Sequence, residues 1–366
     1  MTAMPLVLVA AGGTGGHLFP AEALAVALKA RGARIALATD HRAALYTSDT
    51  FSDNIYIVPS ATVRGRDPVS LARTLTMLGY GALKAWMLLG RIRPAVVVGF
   101  GGYPTVPPVF AATLRGIPTV IQDQNMVLGR ANRLLAPRVS AIASSWPDVK
   151  LDSALKAKTT YTGNPIRPNV LAAAEKPYAA PDAGGEFRLL VFGGSQGARV
   201  MSEIVPPAIE RLSAPLRARL VVTQQARGED LAKVQAAYAR AGIKTDVQSF
   251  FADLPERIAA SHLIVSRSGA STVSELAAIG RSAILVPLPH ALDQDQLANA
   301  GVLEKAGGAI RIDQPNFTPE RLAGEIEGLA ADPARLARMA AGAKSVGTLD
   351  AAERLADLVL KIAGQR

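Results

Sequence analysis

The 366-residue sequence has no cysteine and only four histidines. The first absence excludes disulfide frameworks and thiolate catalysis and fits a reducing compartment; the second leaves little for a zinc site of the usual ligand types. No run reaches the roughly 18 uncharged apolar residues that a membrane-crossing helix needs, so no span is expected. The opening apolar run, Pro5 to Ala11, is too short for a secretory core and has no basic flank. It leads straight into glycines, as a first buried strand does, and predicts no export signal. Acidic residues are missing from Pro68 to Gln122, a stretch that holds Arg73, Lys84, Arg91, Arg93 and Arg115. The net charge of +10 admits nucleic acid, an anionic membrane or phosphorylated substrates as partners. No aromatic-rich RNA-binding pattern supports the first, so no nucleic-acid partner is expected.

What is present is a rhythm. Short β-branched runs (LVLVAAG, RIALATD, IYIVPS, AVVVGFGG, TVIQD, AIASS) alternate with helical patterns, which predicts α/β architecture with a parallel sheet. The rhythm breaks where proline, glycine and alanine accumulate, then restarts at Arg188 with RLLVFGGSQG and runs through RLVVTQQ, TDVQSF, LIVSRSG, AILVPL and AIRID. The length exceeds what one hydrophobic core usually spans. Two Rossmann-like, doubly wound parallel-sheet domains facing a cleft are expected: residues 1–164, a linker at 165–187, and residues 188–349. In the final segment Leu355, Leu358, Val359 and Ile362 share one helical face, so the helix at 350–366 is expected to pack back on the first domain.

The first strand ends in AGGTGGH, residues 11 to 17, with Pro20 near a helix start, so backbone amides and a positive helix end converge. Such a loop suits a phosphate, or simply a tight turn. Neither the dinucleotide pattern nor a P-loop fits it, because Leu18 stands where the third glycine belongs and no glycine-lysine pair follows. FGGSQGA (192–198) repeats the design in the second half, and SRSGASTVSE (266–275) adds a third loop. Its Ser and Thr residues suit helix capping, while Glu275 lies about one turn inside the helix, where a carboxylate can accept ribose hydroxyls. Ligands of open α/β sheets bind outside the carboxyl ends of the strands, where these loops gather.

Six motifs, GGTGGH, GFGGYPT (99–105), DQN (123–125), GNPIR (163–167), FGGSQGA and SRSGASTVSE, occur in the order and approximate spacing of the MurG family of peptidoglycan glycosyltransferases. The chain resembles that family along nearly its whole length. The resemblance implies a GT-B fold and inverting, metal-independent transfer of N-acetylglucosamine from UDP-N-acetylglucosamine to the muramyl sugar of undecaprenyl-diphosphate-linked lipid I, giving lipid II, with no cofactor. By matching motifs, it implies donor contacts at Thr14, Gly15, Gly16, Asn125, Arg167, Ser195, Phe251 (through its backbone, on the uracil), Ala270, Ser271, Thr272, Val273, Ser274, Glu275 and Gln296, with Gln196 a further substrate-binding residue. The family's frequent glutamate is Asp123 here, and the Gln296 assignment, against Gln294, crosses a one-residue length difference. The rival readings are another GT-B lipid glycosyltransferase and a UDP-sugar epimerase.

Departing UDP gathers negative charge, which a metal or fixed dipoles must stabilise; the glycine loops supply the dipoles. The one D-x-D string, Asp293 to Asp295, sits at a helix start, where acidic residues are favoured anyway. The attacking hydroxyl must lose a proton, and His17 is the candidate base; capping the helix or binding the acceptor diphosphate are its competing roles. Tyr103 and Asn125 are acceptor-side or positioning candidates, and Arg167 offers a charge-assisted contact.

If residues 70 to 91 are helical, Arg73, Lys84 and Arg91 form one stripe with Met77, Tyr80 and Met87 interleaved, opposite Leu71, Leu75, Leu78, Trp86 and Leu89. The simple reading is a core side and a solvated basic side. The alternative is a face resting on anionic headgroups. Gly79 and Gly81 are positions where the helix would split. A peripheral place on the cytoplasmic face of the cell membrane follows from the family, with wall-synthesis or division proteins as candidate partners.

Overall fold

The computed structural model describes residues 4–13, 15–41, 51, 54–61, 67–182, 184–194, 197–289 and 293–364. The chain forms two compact units, residues 1–167 with 349–366, and residues 168–348. Among the described residues, unit 1 holds a seven-stranded parallel sheet: β1 (Leu6–Ala10), β2 (Arg34–Thr39), β3 (Ile55–Ile57), β4 (Val96–Gly99), β5 (Thr119–Asp123), β6 (Ala141–Ser144) and β7 (Thr159–Tyr161), in the order β3-β2-β1-β4-β5-β6-β7. Unit 2 holds β8 (Phe187–Phe192), β9 (Leu220–Gln225), β10 (Lys244–Gln248), β11 (Leu263–Ser266), β12 (Ala283–Leu285) and β13 (Ala309–Arg311), in the order β10-β9-β8-β11-β12-β13. Every pairing is parallel, with Val7 opposite Ile35 and Val96, and Leu189 opposite Val222 and Leu263.

Both sheets reverse direction of winding beside their first strand. In unit 1 the switch lies between β1 and β4, in unit 2 between β8 and β11. Connections there leave to opposite faces, which opens a crevice at the carboxyl ends of the two strands. The glycine motifs follow those four strands, so the topology itself places them at the two crevices.

The central strands of both sheets are apolar at nearly every position because helices cover both faces, whereas the edge strands β7 and β10 are largely polar. Two core clusters line the two sides of the unit 1 sheet, one around Val7, Val9 and Val98, the other around Leu8, Val97 and Ile121. The last helix, Ala351–Ala363, contributes Leu355, Val359 and Ile362 to the first of these and packs on helix Gly15–Ala30. Each such side chain is worth roughly 1.5–3 kcal/mol of burial. Arg31 pairs with Glu353 (2.6 Å) and Asp357 (2.7 Å), but both carboxylates are exposed, so apolar burial dominates the docking. Residues 165–187, expected as a linker, carry a helix, Pro168–Ala174, that packs on helices Leu254–Ala260 and Ala270–Ile279 within unit 2.

Helix Pro68–Ile92 corrects the expected division of its faces. It is unbroken through Gly79 and Gly81, capped by Asp67, whose side chain accepts the Ser70 N–H at 2.9 Å. Its inward residues are Thr74, Gly81, Ala85 and Leu89. Small side chains let it lie close to the loop after β3: a Cβ on Gly81 would collide with the Pro59 carbonyl. Leu71, Leu75 and Trp86, expected to face the core, are exposed, and so are Met77, Tyr80, Leu83 and Met87.

One buried titration in unit 2 sets an acid limit on stability. His262 accepts the Arg188 N–H at Nδ1 (3.0 Å), and burial, then the charges of Arg188 and Arg219, pull its imidazole down to about 4 from 6.5. The unfolded chain binds this proton at about pH 6.5 and the folded chain does not. The contribution is therefore complete above pH 6.5 and is lost as the pH falls through about 4. We expect His262→Asn, which keeps an acceptor for Arg188, to flatten roughly 3 kcal/mol of the pH dependence of unfolding across that window. Denaturant titrations of both proteins at several pH values check this; parallel curves would contradict it.

Candidate functional site

The crevice of unit 1 is assembled from the loops after β1, β4 and β5. Gly101 (φ 88°) and Gly102 (φ 72°) turn the chain after β4 through the left-handed region. Their backbone lies against the His17 imidazole so closely that a Cβ on Gly102 would sit 3.2 Å from its Cδ2, and one on Gly101 3.3 Å from its Cε1. The buried Thr105 hydroxyl binds the carbonyls of Gly101 (2.6 Å) and Ala10 (3.0 Å), which ties the turn to the end of β1. His17 Nδ1 is 3.0 Å from Gln124 Oε1, a residue 107 positions away. Tyr103 follows Gly102 as a half-buried residue at the start of the turn Tyr103–Thr105.

Asp123 organises the adjoining loop. Its carboxylate accepts the N–H groups of Asn125 (3.0 Å) and Gly129 (2.8 Å) and the side-chain amide of Asn132 (2.9 Å). Burial nevertheless pushes the carboxyl above its ordinary value. Asp123 thus holds the backbone of Asn125 directly. Arg167 stacks its guanidinium over the Phe19 ring at 3.8 Å, in the same unit as His17.

In unit 2 the loops after β8, β10, β11 and β12 carry the candidate residues. A Cβ on Gly193 would collide with Ala198 N, so the turn after β8 closes tightly, and its N–H reaches Gln225 Oε1 at 3.1 Å. Phe251 is buried with Arg257 over its ring at 4.2 Å, which fixes the loop after β10. Helix Ala270–Ile279 begins after Gly269 with Ala270, Ser271 and Thr272 partly exposed, and Ser274 and Glu275 buried behind them. Val273 is fully buried and its N–H is spent on Gly269 O (3.0 Å), so its side chain packs the helix. Gln296 accepts the Leu288 N–H at Oε1 (3.0 Å), while its carbonyl accepts the Ser268 hydroxyl (2.8 Å), joining the β12 and β11 loops. Asp295 accepts the Gln296 N–H at 2.9 Å, a helix-start role. Among the described residues no three His, Asp or Glu side chains form a group able to hold a metal ion.

His17, Tyr103 and Asn125 thus gather at one crevice, and Phe251, Ala270 to Glu275 and Gln296 lie at the carboxyl ends of the other sheet. Gly15 and Gly16 open helix Gly15–Ala30 beside the first crevice. Thr14, Ser195 and Gln196 lie outside the described residues. Sequence reasoning missed Arg267, whose guanidinium binds the carbonyls of Val286 (3.1 Å) and Pro287 (2.9 Å) and the side chain of Gln314 (2.5 Å), linking three loops. It also missed Gln122, Gln124 and Asn132 behind His17. Polar residues ending an apolar strand, as in TVIQDQ, are the signal that points to the two glutamines, whereas Asn132 lies in the helix Arg130–Leu135 and has no such signal.

Residues 7–144 match the glycosyltransferase family 28 N-terminal domain and residues 188–355 the glycosyltransferase family 28 C-terminal domain. The UDP-N-acetylglucosamine–N-acetylmuramyl-(pentapeptide) pyrophosphoryl-undecaprenol N-acetylglucosamine transferase of Rhodopseudomonas palustris strain BisB18 is 62% identical over 361 residues, 98% of this chain and 96% of that protein. The protein of the same name from Nitrobacter hamburgensis is 62% identical over 364 residues, 99% of this chain and 98% of that one. The crystal structure of Acinetobacter baumannii MurG superposes with a TM-score of 0.78 at 29% identity, covering 98% of this chain and 99% of that one, so the fold is GT-B. With both halves matched and this identity held from end to end, the chain belongs to glycosyltransferase family 28 and, within it, to the MurG family of N-acetylglucosamine transferases.

Proposed function

We propose that the protein transfers N-acetylglucosamine from UDP-N-acetylglucosamine to the muramyl sugar of undecaprenyl-diphosphate-linked lipid I, forming lipid II. The observation that carries this reading is the end-to-end identity with transferases of that name, joined to glycine loops at the switch points of both sheets. UDP binds unit 2. The start of helix Ala270–Ile279 and the amides of the β8 turn face the diphosphate, and Glu275 accepts the ribose hydroxyls. These fixed dipoles stabilise the charge that builds on UDP as its bond to the sugar breaks.

The acceptor is handled by unit 1. His17 takes the proton of the attacking hydroxyl as its oxygen bonds the anomeric carbon and the electron pair of the old bond leaves on UDP. One displacement inverts the centre, with no sugar bound to the enzyme. Asn125, held through Asp123, and Tyr103 position the acceptor sugar. Incubation with UDP-N-acetylglucosamine alone tests the reading against an epimerase: the donor should be recovered unchanged, and formation of a 2-epimer, free or still carried on UDP, would overturn transfer as the activity.

A lipid acceptor requires a membrane face, and helix Pro68–Ile92 fits one. Val69 is 77% exposed, Leu75 60% and Leu83 55%, beside the exposed Arg73, Lys84 and Arg91. Arg115 lies over the Trp86 ring at 3.7 Å and Lys84 over Tyr80 at 5.5 Å. None of the helices among the described residues is long and apolar enough to cross a membrane. Apolar side chains entering the headgroup region, with cations at its edge, give peripheral binding to anionic lipid on the cytoplasmic face. Liposome sedimentation should show stronger binding to anionic than to neutral vesicles, and Leu75→Ser with Leu83→Ser should weaken both; equal binding to the two vesicle types would remove the electrostatic part.

A further inference from the structure

Behind His17 runs a chain of buried polar groups whose proton directions are determined from one end. The single hydroxyl proton of Ser145 goes to the Asp123 carbonyl at 2.7 Å. Its oxygen has only lone pairs left for Gln122, which must therefore point its NH2 group there, at 2.9 Å. That orientation turns the Gln122 side-chain oxygen toward Gln124, whose NH2 group donates to it and to the Phe100 carbonyl at 2.9 Å. The oxygen of Gln124 is then the atom left to face His17 Nδ1, at 3.0 Å. An amide oxygen only accepts, so Nδ1 carries the ring proton. Reversing Gln124 would set its oxygen against two other acceptors, and Gln122, Gln124 and Ser145 are all buried from water that would relieve this. Gly101 and Gly102 close on the ring and restrict its rotation.

We propose that Gln124, oriented by Gln122, is a positioning residue for the transfer: it fixes His17 as the Nδ1–H tautomer and presents the Nε2 lone pair to the acceptor hydroxyl. As the hydroxyl proton arrives on Nε2, the Nδ1–H still points at an oxygen that favours the cation formed. The inference rests on His17 as the base, yet the tautomer is measurable without turnover. Nothing in the sequence motif alone assigns this task to Gln124, because the partner lies in another loop.

The test is a nitrogen-15 spectrum of the full chain labelled at histidine, with the His17 signals assigned by their loss in His17→Asn. His17 should show a protonated Nδ1 and an unprotonated Nε2. In Gln124→Leu, His17 should move toward Nε2–H and turnover should fall about tenfold or more, with the donor KM little changed. A wild-type spectrum with His17 as Nε2–H overturns the proposal, whether or not the variant folds. That result with an inactive His17→Asn would leave the base reading standing, whereas an Nδ1–H spectrum with full turnover in His17→Asn would remove the base and, with it, the positioning role.

Discussion

His17→Ala is expected to lower turnover by about 10²–10⁴-fold, the usual worth of a positioned general base, while UDP affinity stays within a factor of two. The separation follows from where the residues sit. His17 belongs to unit 1 and contacts Gln124, Gly101 and Gly102, whereas the loops proposed to hold UDP belong to unit 2. The ring is half-buried, so its loss does not open the core, and Thr105 continues to hold the β4 loop. Steady-state transfer and calorimetric UDP binding, measured on the same preparation, check both halves. Retained turnover would return His17 to a capping or diphosphate-binding role.

The second large effect is on stability. Arg281 follows helix Ala270–Ile279 and is 1% exposed. Its guanidinium donates to the carbonyls of Ala259, Ile279, Gly280, Lys176 and Pro177, and no carboxylate is among these partners. Five carbonyl dipoles therefore carry one buried charge and, in return, are satisfied by it. The clasp joins the chain after helix Pro168–Ala174 to the ends of two helices that pack on it. Arg281→Met fills similar volume but leaves those carbonyls without a donor, and we expect it to destabilise unit 2 by roughly 3–5 kcal/mol. Denaturant unfolding monitored by a unit 2 probe, such as protection by UDP, reads the effect. A change under about 1 kcal/mol would show that water replaces the guanidinium.

The strands were legible because parallel strands covered on both faces read as continuous apolar runs. Strand β7 was not: Thr159, Thr160 and Tyr161 form a short edge strand with half-exposed to exposed side chains, without the apolar signature. The glycine loops were legible because tight turns at strand ends restrict residue choice. Val273 entered the expected site through its place within ASTVSE, and the structure gives its side chain a packing position. In helix Pro68–Ile92 periodicity gave the angular spacing of side chains but not which side faces inward. Placing Leu71, Leu75, Leu78, Trp86 and Leu89 on the core side was right for Leu89 and wrong for Leu71, Leu75 and Trp86, because close packing on the Pro59 loop selects Gly81 and Ala85. Gln124 reaches His17, and Arg281 reaches Lys176, Pro177 and Ala259, across long stretches of sequence, so local pattern marked polar positions at most and did not name their partners.

The most direct measurement is transfer of radiolabelled sugar from UDP-N-acetylglucosamine to a lipid I analogue, with a control lacking acceptor. Labelled lipid II is expected only with acceptor, in step with UDP release and with the new linkage inverted. Saturable UDP binding with no labelled lipid, or sugar released without acceptor, would contradict it.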